Sequence, residues 1–205
     1  MIVIVDYGLG NLGSIKNMLR KIGYLSLISS KPDEISMASK LIFPGVGAFD
    51  TGMKHLTDSG LLDILSHKAL VEKIPVLGIC LGAQLMTRSS EEGCLPGLGW
   101  FEAETLKFQF DGIAGKWPLP NIGWRDVSDV NVSPLMSGFT SIPRFYFVHS
   151  YFLKPIDQGI VSMKVSYGFE YACGLSRGNL HCVQFHPEKS HKFGMQLLRN
   201  FAELT

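Results

Sequence analysis

Three short apolar runs, each followed by glycine or helix-forming residues, constrain this chain more than any other feature. Ile2-Val-Ile-Val5 leads into Gly8, Gly10 and Gly13, then into Ile15, Met18, Leu19 and Ile22 at helical spacing. Leu41-Ile-Phe43 precedes Gly45 and Gly47, with Met53, Leu56 and Leu61 beyond; Val76-Leu-Gly-Ile79 precedes a helix-like Leu81 to Met86. Runs that are apolar without alternation suit strands covered on both faces, and a helix between successive strands makes them parallel. The expectation is an α/β fold with a mostly parallel central sheet and flanking helices.

The texture changes after Gly97, where Trp, Phe, Gly and Pro interrupt shorter runs at Phe145 to Val148, Val161 to Val165 and Leu180 to Phe185. These are read as an antiparallel strand extension. Phe193, Leu197, Leu198 and Phe201 predict a closing helix packed on the sheet. At 205 residues, 46% hydrophobic and 18% charged, the chain suits one domain spanning 1–205 and leaves no room for a second catalytic one. Its 19 basic and 18 acidic residues nearly cancel without long runs, which argues against a nucleic-acid partner. No stretch approaches the ~18 apolar residues of a membrane span, and the N-terminal run is too short for a signal segment, so a cytoplasmic location is expected. The four cysteines, 80, 94, 173 and 182, are then expected to be reduced, with Cys94, Cys173 and Cys182 in the core.

Gly78-Ile-Cys80-Leu-Gly82 follows an apolar strand and precedes a helical segment, the setting of a nucleophile turn. The flanking glycines are expected to make the sharp turn, and the helix start behind Cys80 favours a thiolate. A lone cysteine at a strand end is more often space-filling, so a second element matters. Gln184-Phe-His186-Pro-Glu188 supplies it: Pro187 excludes a helix interior, and in an extended segment His186 and Glu188 share a side. Together they form a Cys-His-Glu set. Pro44-Gly45-Val46-Gly47, at the end of a strand, can turn backbone N–H groups toward a developing oxyanion.

Pro44-Gly-Val-Gly-Ala-Phe49, Gly78-Ile-Cys-Leu-Gly-Ala-Gln84, His149-Ser-Tyr151 and Gln184-Phe-His-Pro-Glu-Lys-Ser190, in that order, resemble the class I glutamine amidotransferases over nearly the whole chain. Within them the likeness is strongest to the glutaminase subunits of histidine biosynthesis. The resemblance implies Cys80 as nucleophile, His186 as general base and acid, and Glu188 as its orienting partner. It places Gly45, Val46, Gly47 and Leu81 at the oxyanion, with the amides of Val46 and Leu81 as donors, and Gln84, Ser150 and Tyr151 on the glutamine. It also implies a heterodimer with a (β/α)₈-barrel cyclase-like synthase subunit, Lys189 near the ammonia exit, and no metal or organic cofactor. The family's Pro-His-Met-Gly-Trp-Asn segment reads here Pro120-Asn-Ile-Gly-Trp-Arg125, so Asn121, Trp124 and Arg125 are expected to face that partner. The departures at Asn121 and Arg125 leave a second acceptor open, the acetamidino sugars of surface polysaccharides.

Two readings from other classes compete. Gly8-Leu-Gly10-Asn-Leu-Gly13 is a literal G-x-G-x-x-G, which suggests an NAD(P)-dependent reductase, but Ser29-Ser30 stands where a ribose-binding acid belongs. A non-catalytic binding subunit would keep the fold alone, against which stands the intact set of Cys80, His186 and Glu188. His181, Cys182 and His186 lie close in sequence without a C-x-x-C pair, a weak pattern for zinc.

Overall fold

The computed structural model describes residues 1–131 and 133–204. Twelve strands among them form one mixed sheet. In chain order they are β1 (Ile2–Val5), β2 (Ser26–Ser29), β3 (Lys40–Gly45), β4 (Val76–Cys80), β5 (Ser89–Ser90), β6 (Ala103–Lys107), β7 (Asn121–Asp129), β8 (Arg144–His149), β9 (Tyr151–Pro155), β10 (Val161–Tyr167), β11 (Phe169–Arg177) and β12 (Leu180–Val183). The helices are α1 (Leu12–Lys21), α2 (Pro32–Ser36), α3 (Phe49–Asp58), α4 (Leu62–Ser66), α5 (Leu81–Leu85) and α6 (His191–Glu203).

The main order is β2-β1-β3-β4-β12-β11-β10-β7-β8. From β2 to β12 every neighbour is parallel, and from β12 onward every neighbour is antiparallel. β9 pairs β11 and β6, and β6 carries β5. β1, β4 and Leu41 to Phe43 of β3 read as unbroken apolar runs because both faces are covered. Val3 and Val5 join Leu41, Phe43, Phe49 and Trp100 in one cluster, while Ile2 and Ile4 join Ile15, Leu19, Leu197 and Phe201 in another. β8, by contrast, alternates, burying Phe145, Phe147 and His149 while its other positions stay open. No helix among the described residues is long and apolar enough to cross a membrane.

The expected parallel core and antiparallel extension are present, with one strand moved between them. Residues 180–185, read as part of the extension, contribute β12, which lies parallel to β4 and antiparallel to β11. Its four residues are all buried, as a central strand requires, but partnership is a long-range choice that local pattern cannot express. The position matters: Val183 registers with Ile79, so the segment leaving β12 passes beside the residue that ends β4. The closing helix is α6, with Leu197, Leu198 and Phe201 buried.

Candidate active site

Cys80 ends β4 and caps α5 with φ 54° and ψ −110°. A side chain other than glycine in that region costs on the order of 1–3 kcal/mol and persists only where the surroundings enforce it. Here they do. Gly78, Gly82 and Gly45 do not take positive φ; they supply space. A Cβ on Gly82 would collide with the Phe43 carbonyl, one on Gly78 with Met86 Sδ, and one on Gly45 with the Tyr7 hydroxyl. The turn is thus made by the cysteine itself, and the glycines let β3, β4 and α5 close around it, contrary to the expectation that the glycines would turn the chain.

His186 follows β12 in extended geometry, its N–H donating to the Tyr146 carbonyl at 2.9 Å. Ser190 locks it from below: Ser190 Oγ donates to the His186 carbonyl at 2.6 Å and accepts from the Tyr146 N–H at 3.0 Å. His186 Nδ1 lies 2.8 Å from Glu188 Oε1, both side chains being 2% exposed. A carboxylate only accepts, so Nδ1 carries the proton. Nε2 is buried without a hydrogen-bond partner among the described residues. Burial works against a charged ring, but Cys80 and Glu188 beside it outweigh burial and push the His186 pKa up to about 10.

Cys80 and His186 line a common cavity of about 270 Å³. Val46, Gly47, Leu81, Gln84, Ser150 and Tyr151 also line it. Gly45 is buried one residue behind Val46, which is itself exposed. Gly47 has φ +111° with nothing within 4 Å of a Cβ position, so this end of the Pro44–Gly47 stretch is free where Gly45 is not. The cavity lining also includes two titratable residues that sequence reasoning left without a task, Glu92 and His149. Glu92 Oε2 accepts from the Phe49 N–H at 2.9 Å; it lies in an irregular stretch with no motif to mark it. His149 belonged to a quoted motif, and its imidazole Nδ1 is 2.8 Å from the Tyr151 carbonyl. Burial lowers its pKa to about 4, with the backbone bond opposing and the charges of His186 and Arg125 adding to the fall. Two histidines on one cavity are therefore driven to opposite charge states.

The segment expected to face a partner divides. Asn121 is fully buried, its Nδ2 3.2 Å from His149 Nε2 and its Oδ1 accepting from Arg125 Nε and Nη2 at 3.2 and 3.0 Å. Asn121 thus presents no surface of its own. Arg125 is half-buried and lies 4.8 Å over the Tyr167 ring. Trp124 stacks on His191 at 5.5 Å and meets Tyr146, over whose ring Lys189 Nζ lies at 5.7 Å. Trp124 and the exposed Lys189 are thus drawn together through Tyr146. Lys189 does not line the Cys80 cavity; with Glu188 it borders a cleft of about 360 Å³ against Ser14, Met18 and Lys21.

Cys173 and Cys182 are buried, and burial pushes both thiols up, Cys182 to about 12. Cys94 is exposed, not a core residue as expected; its N–H and that of Leu95 bind the Asp50 carboxylate at 3.0 Å. The glycine loop after β1 does not meet the packing demand of a dinucleotide site, since a Cβ on Gly13 would touch nothing within 4 Å. Among the described residues no three His, Cys, Asp or Glu side chains cluster for a metal ion.

A strained cysteine between a parallel strand and a helix, beside a histidine bound to glutamate, suits an amide-cleaving thiol site, and residues 3–204 match the family "Glutamine amidotransferase class-I", to which the chain belongs. Among its relatives, it is 50% identical over 201 residues to imidazole glycerol phosphate synthase subunit HisH 2 of Methanococcus maripaludis, covering 98% of each. It is 45% identical over 205 residues to the HisH 2 subunit of Pseudomonas aeruginosa, covering both completely. In fold it is similar to a crystal structure of glutamine amidotransferase, at TM-score 0.73 and 20% identity, covering 99% of this chain and 98% of that one.

Proposed function

We propose that the chain is the glutaminase subunit of an imidazole glycerol phosphate synthase, hydrolysing glutamine to glutamate and ammonia and passing the ammonia to a (β/α)₈-barrel cyclase subunit. The observation that carries the chemistry is the buried His186–Glu188 pair with Nε2 free, on the cavity of the strained Cys80. The Cys80 thiolate attacks the side-chain amide carbon of glutamine, and the amides of Val46 and Leu81 receive the oxyanion. His186, held by Glu188, gives its Nε2 proton to the departing ammonia. Water then attacks the glutamyl thioester with His186 as base, the carbon–sulfur bond breaks, and glutamate leaves a regenerated thiolate. Gln84, Ser150 and Tyr151 hold the substrate, and Glu92, whose Oε1 is not engaged by Phe49, is placed to take its α-ammonium group.

The full-length relatives at 50 and 45% identity carry the histidine-pathway name, which favours that acceptor over the acetamidino-sugar alternative. Trp124, Arg125 and Lys189 form the proposed partner side, with Asn121 supporting Arg125 from within. In the assembled enzyme Cys80→Ala is expected to lower glutamine-dependent product formation by roughly three orders of magnitude or more, because the covalent path is gone. Turnover with free ammonia is expected to persist. Undiminished glutamine use by Cys80→Ala would end the proposal.

A further inference from the structure

Gln184 is a fully buried amide for which the reaction above has no use. Its Nε2 lies 3.8 Å from Cys80 Sγ, and its Oε1 lies 3.2 Å from Gln84 Nε2. Gln84 Nε2 is in turn 3.5 Å from the Tyr151 carbonyl, which also accepts from His149 Nδ1 at 2.8 Å.

An amide side chain can be turned end for end, so its direction must be set by its neighbours. A backbone carbonyl only accepts. Tyr151 therefore requires Gln84 to present its NH₂ group, which requires Gln184 to present its oxygen, which leaves the Gln184 NH₂ facing the sulfur. The same carbonyl requires the proton of His149 on Nδ1, leaving Nε2 to accept from the Tyr171 hydroxyl at 3.0 Å, while Asn121 Nδ2, 3.2 Å from both that hydroxyl and Nε2, donates into the pair. Asn121 then offers its oxygen to Arg125, a group that only donates. Along the Asn121 and His149 branch, working inward from the guanidinium or outward from the carbonyl gives the same directions.

We propose that Gln184 is a further catalytic residue of the glutaminase, donating from Nε2 to the Cys80 thiolate, with its direction fixed through Gln84 by the Tyr151 carbonyl. The proposal rests on Cys80 being the nucleophile. The donor acts at both ends of the cycle: it holds the thiolate before attack, and it receives the charge again when the thioester carbon–sulfur bond breaks. Hydrogen bonds to a charged acceptor are about twice as strong as neutral ones, so the contact tightens as charge gathers on sulfur.

The test follows iodoacetamide alkylation of Cys80 by mass spectrometry across pH in the full chain, with no glutamine present. Gln184→Met keeps the volume and removes the donor, and Gln184→Glu sets a carboxylate against the sulfur. Both are expected to move the midpoint of Cys80 reactivity upward, by about one pH unit for Met and more for Glu, with a roughly tenfold loss of rate for Met at pH values below the midpoint. Folded variants, judged by unchanged thermal transitions, that keep the wild-type profile overturn the proposal. Should neither variant fold, the wild-type chain still decides: the Gln184 side-chain ¹⁵N–¹H signals are expected to shift as Cys80 titrates, and signals that ignore it overturn the proposal too. A wild-type Cys80 that resists a glutamine-mimicking electrophile would instead count against the glutaminase reading.

Discussion

The turn at Gly78–Gly82 and the Pro44–Gly47 stretch lie side by side at one cavity, and both read as glycine-rich turns, yet their glycines do opposite things. At Gly78, Gly82 and Gly45 the absence of a Cβ permits the Met86 sulfur, the Phe43 carbonyl and the Tyr7 hydroxyl to close in, and the result is rigidity. At Gly47 the absence of a Cβ permits φ +111° in open space, and the result is freedom. The site thus joins a closely packed turn at Cys80, the proposed nucleophile, to a less constrained stretch at Val46 and Gly47, the proposed oxyanion wall. That difference suits a regulated enzyme: peptide rotation beside Val46 can present N–H or C=O to the cavity, and a partner that binds one orientation better shifts the population. Moving it from 1:99 to 99:1 takes ~5.5 kcal/mol of differential binding.

The comparison breaks first at Gly82. Gly82→Ala drives a methyl group into the Phe43 carbonyl, backbone against backbone, and is expected to cost more than about 4 kcal/mol or prevent folding, read from urea unfolding midpoints. A cost under 1 kcal/mol would mean the turn is not rigid. Glu188→Gln probes the fixed wall without disturbing its packing: glutamine-dependent kcat is expected to fall about a hundredfold, less than in His186→Ala, because only the orientation and charge support of the imidazole are lost. Equal rates in wild type and Glu188→Gln would assign the pair to structure alone.

A pH series sharpens the electrostatic side. The pKa of His186 is raised from 6.5 to about 10, so its contribution to stability is fully present below pH 6.5 and is lost as pH rises through 10. Tm is expected to decline from pH 8 to 10.5 in the wild type and less steeply in His186→Gln; parallel curves would contradict the shift. His149 works in the other sense, since its pKa is lowered to about 4 and protonation favours the unfolded chain between pH 6.5 and 4. The smallest effect belongs to the mobile wall. Gly47→Ala meets no neighbour but forces an L-residue to φ +111°, at a cost of about 1–2 kcal/mol. Its clearer signature is kinetic: partner-stimulated glutaminase should suffer more than the low turnover expected of the isolated chain, and equal losses in both would remove the loop from the switch.

What the sequence determined was local. Unbroken apolar runs at Ile2–Val5 and Val76–Ile79 already required strands covered on both faces, and the His186-Pro187-Glu188 order already set an imidazole beside a carboxylate, because such relations span two to five residues. Cys80 and His186 were legible as candidates because each lay at the end of such a run. Only the tertiary structure decided that β12 would join β4 in parallel, bringing together residues a hundred positions apart. It alone put the strain on Cys80 and not on its glycines, buried Asn121 under the segment that was expected to expose it, and left Cys94 outside the core. The direction of the Gln84 and Gln184 amides is of the same kind. Each of these outcomes depends on which backbone or carbonyl stands opposite a residue in space, and partners from distant strands leave no mark in the residue's own neighbourhood of sequence.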